Sequence, residues 1–237
     1  MSAKPDSKIP MKLYVVRVSP CCRVVWLYAL QHNIPCELTD VNVFNGEHRE
    51  PKFVAMNPHE EVPILADGST TIFGGLAILR YLSQKYTNFA GWGKTLEDRY
   101  RVHSVLDWAS SKLLNVVGFK YVYPQLLERY HLSSEAGTEE LIEKGLAQAS
   151  ELLEAIESLY LGENPFLCGA ELTVADSYVA TILCQAEWVE FDFKLWPKLT
   201  EWLVRVKGQE RWSEVHSTHN DFAKKLEKVA SIDYESS

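Results

Sequence analysis

Up to residue 88, short apolar runs alternate with segments of helical periodicity. The β-branched run MKLYVVRV has the composition of a buried strand, whereas RVVWLYALQHN has that of a helix that stops before Pro35. An Asp67-Gly68 pair between two apolar runs predicts a hairpin turn. The resulting order β-α-β-α-β-β-α predicts an α/β layer structure. The predicted strands are 11–18, 35–41, 62–67 and 70–73, and the predicted helices are 23–33, 51–57 and 75–86.

From residue 95 onward the apolar positions recur at steps of three and four, which indicates helices with one face in a core. Thr173 and Asp176 have the spacing of a capping box at a helix start, and another helix is predicted at 196–208. Two core-facing stripes stand out. They are Val102, Leu106, Ala109, Leu113 and Val116, and then Ile142, Leu146, Ala149, Leu153, Ile156 and Tyr160.

Composition narrows the class of protein. The chain has 237 residues, 46% of them hydrophobic, and a net charge of −8. Its apolar runs are far shorter than the roughly 20 residues of a membrane helix, and an acidic chain without a basic block is a poor nucleic-acid binder. The first residues are polar and contain two prolines, which predicts a flexible tail rather than a secretory signal. Five scattered cysteines then favour reduced thiols and a cytoplasmic location.

The segment Ser19-Pro20-Cys21-Cys22 opens a predicted helix and carries several possible chemistries. A redox pair is disfavoured because adjacent cysteines rarely close a disulfide without strain. A metal site is disfavoured because no second Cys or His pair stands at ligand spacing, so no metal is expected. Ser19 is either a plain helix N-cap or a group that acts on a ligand. Cys22 fits a small buried apolar residue.

Five motifs together resemble the cytosolic glutathione transferase superfamily, most closely its theta class. They are SPCCRVVW (19–26), N-x-x-x-x-V-P-I-L (57–65), AILRYLSQKY (77–86), WGKTLEDR (92–99) and FLCGAELTVADSYVA (166–180). The resemblance implies an α/β thioredoxin-like N-terminal domain followed by an all-α helical C-terminal domain. The expected boundaries are a tail at 1–10, a thioredoxin-like domain at 11–88, a linker at 89–95 and a helical domain at 96–237.

The resemblance also implies a site for glutathione as co-substrate. Ser19 would hold the glutathione thiolate through its hydroxyl, because a helix N-terminus favours an anion. Arg23 would support the same thiolate or pair with a carboxylate. Val62-Pro63 matches the family's cis-proline, where main-chain groups can pair with the cysteinyl backbone of glutathione as an added strand. His48 matches a position that contacts the glycine end.

Two departures from the family pattern weaken this expectation. The family carries an acidic residue followed by serine where this chain has Gly74-Gly75. Only backbone N–H groups remain there to bind the γ-glutamyl carboxylate. Theta proteins carry lysine where this chain has Glu61, which would turn attraction for the glycine carboxylate into repulsion. The predicted glutathione site is thus divergent.

The helical half is expected to supply the pocket for a small hydrophobic electrophile. Aromatic side chains at helical spacing are its candidates, although such residues commonly belong to a core. The candidates are Trp108, Phe119, Tyr121, Tyr123 and Trp212.

The leading hypothesis is a theta-like glutathione transferase of detoxification type, which adds or displaces groups on the electrophile. The alternative is a non-catalytic carrier of a hydrophobic ligand on the same fold, with a weakened glutathione site. A structural protein and a thiol–disulfide oxidoreductase that uses Cys21 or Cys22 also remain open. By resemblance the partners are glutathione or another small thiol and a second copy of the chain in a homodimer.

Overall fold

A computed structural model describes the backbone of residues 10–235 and the side chains of residues 10–225. The chain divides into two compact units. The first comprises residues up to Ala90 with Ser213–Thr218, and the second comprises Gly91–Trp212 with the residues from His219 on. Apart from Pro10, the predicted tail at 1–10 lies outside the described residues. The predicted domain and linker boundaries stay a prediction.

The first unit contains a four-stranded sheet of order β2-β1-β3-β4. Strands β1 and β2 pair in parallel, whereas β3 pairs antiparallel with both β1 and β4. The sequence order β-α-β-α-β-β-α is confirmed, and the fold is that of a thioredoxin-like domain. The elements are β1 (Lys12–Val15), α1 (Pro20–Gln31), β2 (Glu37–Asp40), α2 (Pro51–Val54), β3 (Ile64–Asp67), β4 (Thr70–Phe73) and α3 (Gly75–Leu82).

Alternation along the strands places two sets of side chains on opposite faces of the sheet. Leu13 pairs with Leu65, and both are completely buried. Tyr14 pairs with Ile64 on the other face, where a ring of α2, Phe53, meets Tyr14 edge-on at 5.6 Å. Helix α2 therefore packs on the face of the sheet that carries Tyr14 and Ile64.

Several helix boundaries differ from the prediction. Helix α1 begins at Pro20, three residues before the predicted start, because proline is tolerated in a first turn that needs no N–H donor. It ends at Gln31, before Pro35 can act on it. The helix predicted at 75–86 is α-helical only to Leu82 and continues as a wider π-helical turn, Ser83–Thr87. A π-helical turn leaves no sequence signature that periodicity could detect.

The second unit is helical, as predicted. The stripe from Val102 to Val116 is buried throughout, although π-helical turns widen the helix beyond Trp108. One position of the other stripe was wrong, because Leu146 is 40% exposed while Gly145 faces inward. The helices are α4 (Leu96–Trp108), π-helical segments Ala109–Leu113 and Asn115–Val122, α5 (Tyr123–Leu126), α6 (Glu135–Ala155), α7 (Val174–Leu183), α8 (Pro197–Lys207) and α9 (Trp212–Glu235).

Two capping boxes start helices of this unit. The predicted pair Thr173 and Asp176 is confirmed at α7, and Thr95 and Asp98 form the same motif at α4. Asp176 is completely buried and also accepts hydrogen bonds from the Leu167 N–H and the Trp202 indole. The α7 box thus ties three segments together, whereas the α4 box is exposed. Between Pro10 and Glu235 no helix is long and apolar enough to cross a membrane.

Candidate functional site

Ser19 occupies the N-cap position of α1, with an extended backbone at φ −71° and ψ 128°. Its side chain accepts no capping hydrogen bond from the first turn. Its N–H donates to the Val16 carbonyl at 2.9 Å, which closes a tight turn after β1. Position and conformation are those of an N-cap, but the hydroxyl is not used to cap the helix.

Cys22 is a buried structural thiol. Its sulfur accepts the Val16 N–H at 3.4 Å, and the residue is 1% exposed. Burial raises the pKa of the Cys22 thiol to about 12, against smaller opposing effects of the Val16 N–H, the Ser19 hydroxyl and the Arg23 charge. The thiol is therefore protonated at neutral pH, which disfavours its use as a resolving cysteine. Neither Cys21 nor Cys22 forms a disulfide with another described residue.

Arg23 is completely buried within α1. Its positive charge lowers the pKa of Cys22, but less than burial raises it. Whether Arg23 supports a ligand thiolate or pairs with a carboxylate stays a prediction.

Arg17, a surface residue of the β1–α1 loop, also stabilises this loop. This role was not predicted from the sequence. The Arg17 guanidinium makes two hydrogen bonds to Asp40, at 2.7 Å and 2.9 Å, and lies 5.1 Å from the ring centre of Trp26. Asp40 stands opposite Val15 in the parallel register of β1 and β2. The sequence carries no local signal for this pair, because its members are 23 positions apart.

Asn57 organises the turn that precedes β3. Its amide Nδ2 donates to the Glu61 carbonyl at 2.8 Å, while its Oδ1 accepts the His59 N–H at 3.0 Å. The residue is 1% exposed. The Val62-Pro63 peptide bond, which follows this turn, is cis. Asn57 therefore positions this turn, and a polar residue heading the motif N-x-x-x-x-V-P was the available signal.

The predicted glycine-end residues lie on and near this turn. His48 lies in a short 3-10 turn, Glu47–Arg49, and its Nδ1 is buried without a hydrogen-bond partner among the described residues. The neighbouring Arg49 forms an ion pair with Glu60, at 3.5 Å between Nε and Oε2. Glu61 is exposed. The Arg49–Glu60 pair thus links the His48 turn to the segment that holds Glu61.

Gly74 and Gly75 bring the start of α3 next to Pro63 and to the first turn of α1. The Gly74 N–H donates to the Pro63 carbonyl at 3.2 Å, and Gly74 has a left-handed φ of 85°. A Cβ atom on Gly75 would lie 2.9 Å from the Cys21 carbonyl oxygen. The first unit therefore brings the N-termini of α1 and α3 and the cis-proline turn into contact. Of the predicted residues, Ser19, Arg23, Val62, Pro63, Gly74 and Gly75 lie on these elements.

The predicted acceptor residues lie in the second unit and only some of them meet. Phe119 and Tyr123 form an edge-on ring pair at 5.1 Å, and the Tyr123 hydroxyl accepts a hydrogen bond from Gln185 at 2.6 Å. Trp108 packs against Tyr160 instead, at 5.1 Å. The remaining candidates differ in burial. Tyr121 is half-buried, whereas Trp212 is only 5% exposed.

Comparison with known proteins places this architecture in a family. The family model described as "Glutathione S-transferase, N-terminal domain" matches residues 13–89, and the one described as "Glutathione S-transferase, C-terminal domain" matches residues 120–210. A human glutathione S-transferase theta-2B is 31% identical over 212 residues, which cover 87% of this chain and 86% of the relative. Human glutathione S-transferase theta-1 is 30% identical over 221 residues, covering 87% of each chain.

Solved structures agree. Human glutathione transferase theta-2, in complex with glutathione and an unknown ligand, has a TM-score of 0.80 and 28% identity over 93% of this chain and 90% of that chain. The apo form of human glutathione S-transferase T1-1 has a TM-score of 0.76 and 29% identity over 88% of both chains. The chain therefore belongs to the glutathione S-transferase family, and it is similar to theta-class members of that family.

Proposed function

We propose that the protein catalyses attack of the glutathione sulfur on a small hydrophobic electrophile, with Ser19 stabilising the thiolate. The observation that carries this proposal is the Ser19 hydroxyl, which stands at the N-terminus of α1 and caps no helical N–H. A serine that is not engaged in capping can donate its O–H to a ligand. The similarity to a theta-2 structure that contains glutathione supports glutathione as that ligand.

The chemistry needs few protein groups. The thiol of glutathione loses its proton to solvent, and the resulting S⁻ accepts a hydrogen bond from Ser19 beside the positive end of α1. The sulfur lone pair then forms a bond to the electrophilic carbon. In a displacement the leaving group departs with its bonding electrons, and in an addition the acceptor takes up a proton from solvent.

Cys22 has a supporting role in this arrangement. Because its pKa is raised to about 12, it stays protonated next to the Ser19 hydroxyl. Ser19 is hydrogen-bonded to this sulfur. A neutral thiol holds the Ser19 proton less strongly than a thiolate would, so the hydroxyl can exchange this contact for one to the ligand sulfur.

The remaining contacts are main-chain ones. The backbone of Val62, ahead of the cis bond, pairs with the cysteinyl unit as an added strand. The N–H groups at the start of α3 donate hydrogen bonds to the γ-glutamyl carboxylate, since helix N-termini bind anions. His48, with its unsatisfied Nδ1, is proposed to contact the glycine end.

Ser19→Ala tests the proposal through the pKa of enzyme-bound glutathione, followed by the ultraviolet absorbance of the thiolate. A hydrogen bond to a charged group contributes roughly 1.5–3 kcal/mol, so the pKa should rise by about one to two units and kcat/KM should fall at least tenfold. Ser69→Ala, an exposed serine in the β3–β4 turn, is the matched control and should leave both values unchanged. An unchanged thiol pKa in Ser19→Ala contradicts the proposal.

A carrier of a hydrophobic ligand is the second candidate, and the glycine pair favours it. Glycine has no side chain, so position 74 offers no carboxylate to the glutathione amine, and the left-handed φ of Gly74 is one that other residues adopt poorly. Tight binding of an apolar fluorescent dye together with no measurable glutathione binding would support the carrier. Glutathione binding at millimolar strength or better would support the transferase.

Assembly and setting are proposed from the family. A homodimer is expected, and sedimentation of the purified chain at several concentrations tests it. A cytoplasmic location and a role in detoxification are proposed as well. Localisation of the tagged protein in its own cells tests the first, and sensitivity of a deletion strain to electrophiles tests the second.

A further inference from the structure

Two adjacent carboxylates lie on the turn before the cis-proline, and their surroundings differ. Glu60 is paired with Arg49. Glu61 is exposed, and no cation pairs with it in the part of the chain whose side chains are described. Lys52, a further cation on α2, is engaged by Glu47 and Glu50. The negative charge of Glu61 is therefore not compensated by a neighbouring side chain.

The backbone of Glu61 is fixed at this place. Asn57, itself buried, donates to the Glu61 carbonyl at 2.8 Å. The cis bond follows immediately at Val62-Pro63. The Glu61 carboxylate can change its rotamer, but the Glu61 backbone cannot leave this position without breaking the hydrogen bond from Asn57.

The direction of the ligand follows from the contacts, and this step rests on the proposed function. The start of α3 lies on the Pro63 side, because the Gly74 N–H donates to the Pro63 carbonyl. A γ-glutamyl carboxylate bound there places the first residue of the ligand opposite Pro63. Antiparallel pairing of the cysteinyl unit with Val62 then places the C-terminal end of the ligand opposite Glu61.

We propose that Glu61 makes this site select thiol peptides whose C-terminal end is uncharged or cationic, in preference to glutathione with its free glycine carboxylate. Residues opposite one another across an antiparallel pair lie within range of direct charge–charge interaction. Two carboxylates at that range repel each other, whereas an ester, an amide or an amine conjugate does not meet this repulsion. His48 is the other titratable group assigned to this end, and Arg49 is occupied by Glu60.

The test compares two ligands by calorimetry: glutathione, and its ethyl ester at the glycine carboxylate. Wild type should bind the ester several-fold to roughly tenfold more tightly. Glu61→Gln should bring the two affinities within about twofold, and Glu61→Lys should reverse the preference. The matched control is Glu37→Gln, which removes one exposed negative charge at the start of β2 and should keep the wild-type preference.

The outcomes separate this inference from the proposal beneath it. If wild type binds both ligands equally or prefers glutathione, the selectivity inference is wrong while the transferase proposal stands. If the ester is preferred to the same extent in Glu61→Gln, the ethyl group rather than charge causes the preference, and the inference is again wrong. If neither ligand binds to wild type or to Glu61→Lys, the proposed glutathione site itself fails, and the inference fails with it.

Discussion

A Cβ atom on Gly75 would lie 2.9 Å from the carbonyl oxygen of Cys21 and 3.3 Å from its Cβ. The first turn of α3 therefore approaches the first turn of α1 so closely that no side chain fits between them. The family pattern has serine at this position, and here the backbone leaves no room for one. Gly75 is thus part of how this chain packs the N-terminus of α3 against that of α1.

Gly75→Ala should destabilise the fold by about 1–3 kcal/mol, because the added methyl group meets backbone atoms that cannot rotate away. Urea unfolding monitored by circular dichroism measures this loss. Gly74→Ala should cost less, about 1 kcal/mol, since its Cβ meets nothing within 4 Å and only the left-handed φ of 85° is unfavourable.

Gly46→Ala is the matched control for the conformational effect, because Gly46 has φ of 79° and open space around its Cβ position. It should behave like Gly74→Ala. Equal stability of the Gly75 and Gly46 variants would contradict the close approach of α1 and α3.

Asn57→Ala should destabilise the protein by roughly 2–4 kcal/mol, because it removes two hydrogen bonds and leaves the Glu61 carbonyl and the His59 N–H without this partner. Ligand affinity should fall as well, since the turn that presents Val62 is released. Both effects are measured on one preparation, by urea unfolding and by calorimetry with glutathione.

Asn42→Ala is the control for this prediction. Asn42 is exposed and its Oδ1 accepts a local hydrogen bond from the Asn45 N–H, so the change should be within about 1 kcal/mol. If Asn57→Ala destabilises no more than Asn42→Ala does, Asn57 does not hold the turn.

Much of the fold could be predicted because its signals are local. The apolar, β-branched strand runs, the Asp67-Gly68 turn and the Thr173–Asp176 spacing each involve residues within a few positions of one another, and the strands, the hairpin and the capping box were confirmed. Helix starts were less accurate. Pro20 belongs to α1 although its residue type usually marks an end, and only its place in the first turn explains this.

The contacts that shape the candidate site are the part that could not be predicted. Arg17 meets Asp40 only because β1 and β2 pair in parallel, and Gly75 meets Cys21 only because α1 and α3 pack together. Neither relationship follows from residue types or spacing. Asn57 lies between these extremes, since its motif was recognised but its hydrogen bonds were not.

The five cysteines should differ strongly in reactivity. Cys22 and Cys184 are buried, and burial raises the pKa of Cys36 and of Cys168 to about 12. A thiol of pKa about 12 presents roughly a thousandfold less thiolate near neutral pH than an ordinary cysteine does. Ellman's reagent should therefore show one fast thiol in the native protein, partly exposed Cys21.

Cys21→Ser should remove the fast phase, and Cys36→Ser should leave it intact. A fast phase that survives in Cys21→Ser would contradict the assignment.

The thiols with raised pKa values also affect the stability of the protein at high pH. Burial raises the native pKa of Cys22, Cys36 and Cys168 from 9.0 to about 12, so the unfolded chain loses these protons first. Stability should fall as the pH rises from about 9 toward 12.

The stability contributions of the two capping boxes can be compared through Asp176→Asn at α7 and Asp98→Asn at α4. Each Asp176 oxygen accepts two hydrogen bonds: one from the Leu167 N–H and the Trp202 indole, the other from the Thr173 N–H and hydroxyl. An asparagine amide turned either way presents its NH₂ group to a backbone N–H donor. Because the site is completely buried, the substitution should cost roughly 3–5 kcal/mol, measured by urea unfolding.

Asp98→Asn makes the same chemical change in the exposed box at α4, where Asp98 accepts the Thr95 N–H and its own N–H donates to the Thr95 hydroxyl. Water can satisfy whatever the asparagine leaves unpaired there, so the loss of stability should be much smaller than that of Asp176→Asn. The difference between the two variants isolates burial from capping. Similar losses at both sites would mean that the capping bond alone matters, and that the Leu167 and Trp202 contacts add little to the stability of the helical unit.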